Sequence, residues 1–337
     1  MGPDSPGSLP AKVSLMTTQT QQTQAPTVPA VKRRTADRLT GHSFAGPLFA
    51  SPALLGLAVF LVAPFVLALV LSFYRVQLNS PRPARFIGFE QYTRLFTDPD
   101  LSAAFGHALL NNFTFALIVV PVQTVLALAL AVLVNRKLRG MVVFRTFIFM
   151  PLVFPLALTA VIWRLIYSRG DEGLLNAILG LFSGGALSSH DWLGDPSTAL
   201  GSIIVMSIWQ SVSFQMIIVL AALQSVPTEL YEAASLDRAN KWAQFINVTV
   251  PGIRNTLIFV ALITTIFSFR LFDQVYLLSR SGSVDRGSTE TVMTQIINTG
   301  FDNNNVGQAA AMTVIFMLII TVIAIIQRAA VRQRGGV

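Results

Sequence analysis

Cysteine is absent from all 337 residues, so disulfides, thiolate–zinc sites and thiol catalysis are excluded. Charge is nearly as scarce: Asp, Glu, Lys and Arg make up 12% of the chain, about half the roughly 25% of a soluble domain. That shortfall decides the class, because most of such a chain must lie in a bilayer. Histidine is rare too, and His42, His107 and His190 are scattered over tail and loops, where a solvated role outweighs a catalytic one. No G-x-x-x-x-G-K-[ST] phosphate loop occurs, nor H-E-x-x-H, nor G-x-S-x-G. The chain therefore carries no legible active site. It cannot hydrolyse ATP by that machinery, and no cofactor of its own is expected.

What is present is apolar length. A spanning helix needs about 20 predominantly apolar residues, and six stretches qualify, at about 48–73, 113–134, 142–167, 200–223, 253–278 and 306–326. Pro64, Pro121, Pro151 and Pro155 fall inside them and predict kinks rather than breaks. The reading is an all-α membrane protein with six transmembrane helices over residues 44–337. Residues 1–43, rich in Gln, Thr and Pro without apolar periodicity, read as a disordered cytoplasmic tail. The apolar run after them starts too late and is too long for a secretory signal.

The basic residues report orientation, since short cytoplasmic loops hold the Lys and Arg excess. Lys32, Arg33, Arg34 and Arg38 precede the first span, and Arg136, Lys137, Arg139 and Arg145 fill the second-to-third connection. Arg238, Lys241 and Arg254 lie between the fourth and fifth, and Arg328, Arg332 and Arg334 follow the sixth. The connection from Arg169 to Pro196 instead carries Asp171, Glu172, Asp191 and Asp195, with Trp192 as an expected interfacial anchor. Arg75, Arg82, Arg85 and Arg94 dilute the contrast in the first outer loop. Both termini are expected in the cytoplasm. The net charge of +8 is then mostly topology, and no nucleic-acid partner is implied.

One charged, amphipathic stretch, "YEAASLDRANKWAQFINVTVP" from Tyr231 to Pro251, lies on the cytoplasmic side. Thr228 is its candidate N-cap, Glu229 and Glu232 suit the positive end of the dipole, and Leu236, Ala239, Ala243 and Ile246 recur at helical spacing. Periodicity alone leaves two readings, a helix resting on the membrane surface or a docking element for a partner. "EAASLDRA", then Phe245 and "VTVP", closely resembles the EAA loop of ABC-importer permeases. "FIGFEQYTRLFTDP", "FRTFIFMPLVFPLALTAVIWRLIY", "WLGDPSTAL", "LQSVPTELYEAA" and "SFRLFDQVYLL" are similar to the carbohydrate-uptake, maltose-type branch, in order over roughly residues 45–334. The resemblance implies a short coupling helix, about 228–250, seated in a cleft of a separate ATPase. Glu232, Ala233, Ala234, Asp237 and Ala239 match the motif, while Arg238 stands where the family usually has Gly.

Arg270 and Asp273 interrupt the fifth span. Each costs about 2.5–3.5 kcal/mol at mid-membrane on insertion scales, and their i, i+3 spacing allows pairing on one helix face. They are expected either as a structural ion pair or in the translocation path. The resemblance further puts sugar-contacting positions at Ser207, Gln210, Ser211, Phe214, Thr264, Ser268, Leu271 and Asp273. It also implies partners: a second homologous permease, two ATPase subunits holding ATP and Mg, and an extracytoplasmic solute-binding protein delivering a sugar or related polyol. The expected location is a bacterial or archaeal plasma membrane. A stand-alone secondary carrier or channel is the competing class, with Arg270 and Asp273 as its only intramembrane coupling candidates.

Overall fold

The computed structural model describes residues 45–136, 140–170, 172–185, 189–279 and 286–334; the expected tail at 1–43 lies outside them. Two compact units are distinguished, residues 1–58 and 59–337. The first is described as helix α1 (Ala45–Leu57). A wide π turn over Ala58–Val62 then leads into α2 (Ala63–Leu71). Pro64 has no N–H to offer the carbonyl four residues before it, and a widened turn accommodates the mismatch.

A short antiparallel hairpin follows, β1 (Tyr74–Arg75) with β2 (Arg85–Phe86), Tyr74 facing Phe86. Then come α3 (Glu90–Thr97) and α4 (Pro99–Val134). The Asp98 side chain accepts from the Leu101 amide, and Pro99 occupies the first turn, a cap-and-proline start. The second span was expected to start at about Phe113, yet the helix already starts at Pro99, because its first turns are too polar to register as a span. Its 36 residues give about 54 Å. Phe105, Ala108, Asn112, Phe115, Val119, Gln123, Ala127, Ala131 and Val134 are buried along it, at steps of three or four that form one stripe.

The third apolar stretch departs from expectation. It forms α5 (Met141–Val153) and α6 (Leu156–Ile166), bent by 102° between them. Phe154 is extended (ψ 130°) because the following Pro155 disfavours the helical region for it, so the proline breaks the helix instead of kinking it. After α7 (Leu174–Ser183) comes α8 (Ala199–Gln224), the most enclosed helix, with Ile203, Met206, Ser213, Met216 and Val219 fully buried.

The expected single helix at 228–250 is also divided. It forms α9 (Thr228–Leu236), α10 (Lys241–Gln244), a π turn over Phe245–Thr249 and α11 (Val250–Gly252). Thr228 is the first helical residue and not the cap. α12 (Arg254–Phe269) leaves at 66° to the segment before it. It stops at Phe269, short of the expected Leu278, and the chain resumes as α13 (Asp273–Ser279), α14 (Arg286–Thr289) and α15 (Val292–Ile297). A π turn over Asn298–Asp302 precedes α16 (Val306–Arg334).

Arg270 closes α12 and Asp273 opens α13, so they do not share a continuous helix face. Both are exposed, and they form no ion pair among the described residues. The expected pairing fails because the helix ends between them.

Among the described residues, Phe49–Leu71, Pro99–Val134, Ala199–Gln224 and Val306–Ala329 are long and apolar enough to cross a membrane. Two further spans result if each bent pair counts as one. Leu117 and Val153 (both 78% exposed) and Phe60 (83%) point outward from such segments, as lipid-facing side chains do. Inside, α4 packs on α8 and α12. One apolar cluster gathers Phe115, Ile203, Met206, Leu271 and Leu278, and a second gathers Ala131, Met216, Val219, Ile253 and Val260.

Candidate functional site

Between those clusters, α4, α8 and α12 enclose a cavity of about 240 Å³. Seven of the expected path residues line it: Ser207, Gln210, Ser211 and Phe214 from α8, Thr264 and Ser268 from α12, and Leu271 just beyond. Arg270 and Asp273 do not line it. Phe115, Val119 and Gln123 from α4, Leu152 from α5, and Gln215, Phe267 and Gln274 complete the wall. Of these, Gln123 had a legible signal, a lone amide in the middle of a long apolar run. The others share an apolar or amide character that sequence does not separate from packing.

The wall's chemistry is neutral. Among the described residues, Gln123 Nε2, Ser207 Oγ, Gln210 Oε1, Gln215 Oε1 and Ser268 Oγ are buried without a hydrogen-bond partner. Buried polar atoms are normally paired, and each unmet group costs about 1–3 kcal/mol. Partial ties fix the rest. Gln215 Nε2 donates to Thr264 Oγ1, which itself donates to the Val260 carbonyl (2.6 Å), and Gln210 Nε2 donates to Thr159 Oγ1 (3.4 Å). Unmet amides and hydroxyls beside the rings of Phe115, Phe214 and Phe267 suit a ligand with an apolar ring face and many hydroxyls.

Asn112, fully buried, holds the helices around this space. Its Nδ2 donates to the Ser268 and Phe269 carbonyls (3.5 and 3.4 Å), and its Oδ1 accepts from the Val292 amide (2.9 Å). Trp209 packs edge-on against Trp163 with ring centroids 5.6 Å apart.

The second candidate region is the α9–α10 turn. Arg238 has φ +60°, a left-handed conformation that glycine adopts freely and a residue with a Cβ does not. The chain reverses there: the Arg238 and Ala239 amides donate to the Ser235 and Ala234 carbonyls, and Asn240 caps α10 by accepting from the Ala243 amide (2.8 Å). Two polar ties close the turn. Buried Gln244 donates to Ser235 Oγ (3.0 Å) and the Ala239 carbonyl (3.1 Å), and Tyr231 OH meets Thr249 Oγ1 at 3.0 Å. Glu232, Ala233, Asp237 and Arg238 face outward, and Ala234 and Ala239 are half-buried.

Between α7 and α8, Trp192 is tied into the loop by a hydrogen bond. Its Nε1 donates to Asn176 Oδ1 (2.6 Å), while buried Asn176 donates to the Ser168, Gly170 and His190 carbonyls. Hydrogen bonds from the Ser197 hydroxyl and amide hold Asp195 below the usual carboxylate range, with His190 nearby as a smaller contribution.

Residues 101–335 match the family model described as "Binding-protein-dependent transport system inner membrane component". The arabinooligosaccharides transport system permease protein AraP of Halalkalibacterium halodurans is 33% identical over 278 residues, covering 82% of this chain and 84% of that protein. The lactose transport system permease protein LacF of Rhizobium radiobacter is 32% identical over 291 residues, covering 86% and 94%. A bacterial alginate ABC transporter, solved with an alginate pentasaccharide-bound periplasmic protein, superposes with a TM-score of 0.75 at 20% identity, over 88% of this chain and 96% of that one. At that identity the likeness concerns the fold. With the family model covering more than two thirds of its length, this chain belongs to the inner membrane components of binding-protein-dependent transport systems.

Proposed function

We propose that this chain is a permease subunit of an ATP-driven sugar importer, moving a neutral, hydroxyl-rich solute through the cavity between α4, α8 and α12. The cavity wall carries this reading: five unpartnered buried polar atoms, three phenylalanine rings and no charged side chain. A neutral lining favours sugars and polyols over anionic solutes, and the relatives named for arabinooligosaccharide and lactose transport agree with that class. Family membership weighs against the stand-alone carrier.

In this reading the four unbroken spans and the two bent pairs make six crossings, with both termini in the cytoplasm of a bacterial or archaeal cell. The α9–α10 turn is the coupling element, presenting Glu232, Ala233, Ala234, Asp237, Arg238 and Ala239 to an ATPase. Arg238 supports this assignment, because its left-handed backbone accounts for the glycine usual at this position in the family. The chain works with a second permease, two ATPase subunits that bind ATP and Mg, and an extracytoplasmic solute-binding protein.

Purification of the tagged chain from its native membranes in mild detergent tests the assembly. A second permease and an ATPase in fixed ratio are expected. Recovery of the chain alone, from membranes in which other complexes survive, overturns the proposal.

A further inference from the structure

A second and larger cavity lies apart from the sugar site. It is a groove of about 840 Å³ between the last turns of α4 and the α10 region. Its floor is apolar: Val125, Leu128, Ala129 and Val132 follow one another at helical spacing on α4, with Leu223 behind. One end is different. Arg136 lies just beyond the end of α4, Lys241 opens α10, and the rings of Trp242 and Phe245 stack beside them with centroids 5.6 Å apart. No carboxylate lines the groove, and neither cation forms an ion pair among the described residues. Among the described residues, the one hydrogen bond from Lys241 Nζ goes to Gln244 Oε1 at 3.4 Å, a neutral and long contact. In sequence, Lys137 and Arg139 follow at once.

We infer that this groove is a binding site for an anionic phospholipid of the cytoplasmic leaflet. An acyl chain lies along Val125 to Val132, and the phosphate meets Arg136 and Lys241. Trp242 and Phe245 take the boundary between headgroup and chains, where amphipathic and aromatic rings are enriched. Charge complementarity selects the occupant. An apolar helix of a neighbouring subunit would cover the floor but leave two cations at the rim without counter-charge, and a zwitterionic headgroup would bring a cation of its own. Basic pockets between membrane helices on the cytoplasmic side are suited to anionic headgroups. Because Lys241 and Trp242 belong to the same closed turn as Arg238, a lipid seated here would brace the coupling element from the membrane side. The leaflet rests on the topology proposed above; the charge and shape of the groove do not.

Native mass spectrometry of the complex, released from nanodiscs of mixed phosphatidylglycerol and phosphatidylcholine, tests the inference. Retention of phosphatidylglycerol over phosphatidylcholine is expected. Arg136→Gln or Lys241→Gln should each weaken that preference about fivefold, and the pair roughly 30-fold. Ala129→Trp should expel the lipid by filling the floor without altering charge. Equal retention of both lipids by the wild type, or an unchanged preference in the double variant, overturns the site.

A further arm uses the absence of cysteine, which makes Ala129→Cys a unique labelling position. Efficient crosslinking from it to the second permease would identify the groove as a subunit interface and refute lipid occupancy. If the chain is recovered without partners yet still retains phosphatidylglycerol selectively, the importer assembly fails and the lipid site stands.

Discussion

Replacing Gln123 by leucine separates a structural amide from a ligand-binding one. Gln123 is 2% exposed in the middle of α4 and lines the cavity, and its side-chain Nε2 has no hydrogen-bond partner among the described residues. Its unmet donor costs the solute-free protein about 1–3 kcal/mol. Leucine removes that cost at similar volume, so the empty complex should become more stable. At ~2–4 °C per kcal/mol for a large domain, the apparent melting temperature should rise by about 2–12 °C, compared at one scan rate because membrane complexes unfold irreversibly. Function should move the other way. Losing one hydrogen bond to the solute, worth about 0.5–1.5 kcal/mol, should reduce uptake roughly 2- to 13-fold. The stabilisation that saturating solute confers on the wild type should shrink correspondingly. Raised stability with unchanged uptake would show that the cavity is not the path. Lowered stability would show that the amide serves the fold, and the reasoning would fail at its first step.

Further outcomes follow from the other sites. Glu232→Lys, an outward charge reversal on α9, should leave the melting temperature within about 1–2 °C, since exposed substitutions shift stability by under ~0.5 kcal/mol; ATP hydrolysis by the complex should lose its dependence on solute, and coupled hydrolysis would count against docking there. Arg238→Gly should preserve coupling, since relief of the left-handed strain offsets the extra chain freedom of glycine. Arg238→Ile, which adds β-branching at φ +60°, should destabilise the turn by about 1–2 kcal/mol, read as faster proteolysis between α9 and α10. Asn112→Ala leaves the Val292 amide without its acceptor and should cost about 1–3 kcal/mol, measured as a lower melting temperature, with solute affinity falling as Ser268 loosens.

The apolar runs made the membrane class and the long helices legible, because a bilayer imposes length and composition on every span. Breaks were less legible. Pro151 sits inside α5 while Pro155 ends the pairing of α5 with α6, and nothing local distinguishes one from the other beyond the state of the preceding residue. At Arg238 the usual flag for a positive φ, glycine, is missing, so the periodicity of Leu236, Ala239 and Ala243 ran on through a turn. Part of the cavity wall was reached through the family resemblance, which points to Ser207, Gln210, Ser211 and Phe214 together on one helix. Phe115 and Gln123 reach the same space from α4, distant in sequence, and only helix packing unites them. Arg270 and Asp273 do not pair on one helix face, because here the charge in an apolar run marks where a helix stops.

The 66° elbow at Ile253 gives the chain a mechanical advantage. On one side of it lies the closed turn of α9 and α10. On the other, α12 is a rod of 16 residues, about 24 Å long. Thr264 and Ser268 ride near its far end. A pivot of about 5° at the elbow swings that end by ~2 Å over a 24 Å arm, more than the window between a good hydrogen bond and none. Under the proposed function, a small displacement at the α9–α10 turn would be enough to seat or release a solute held by Thr264 and Ser268.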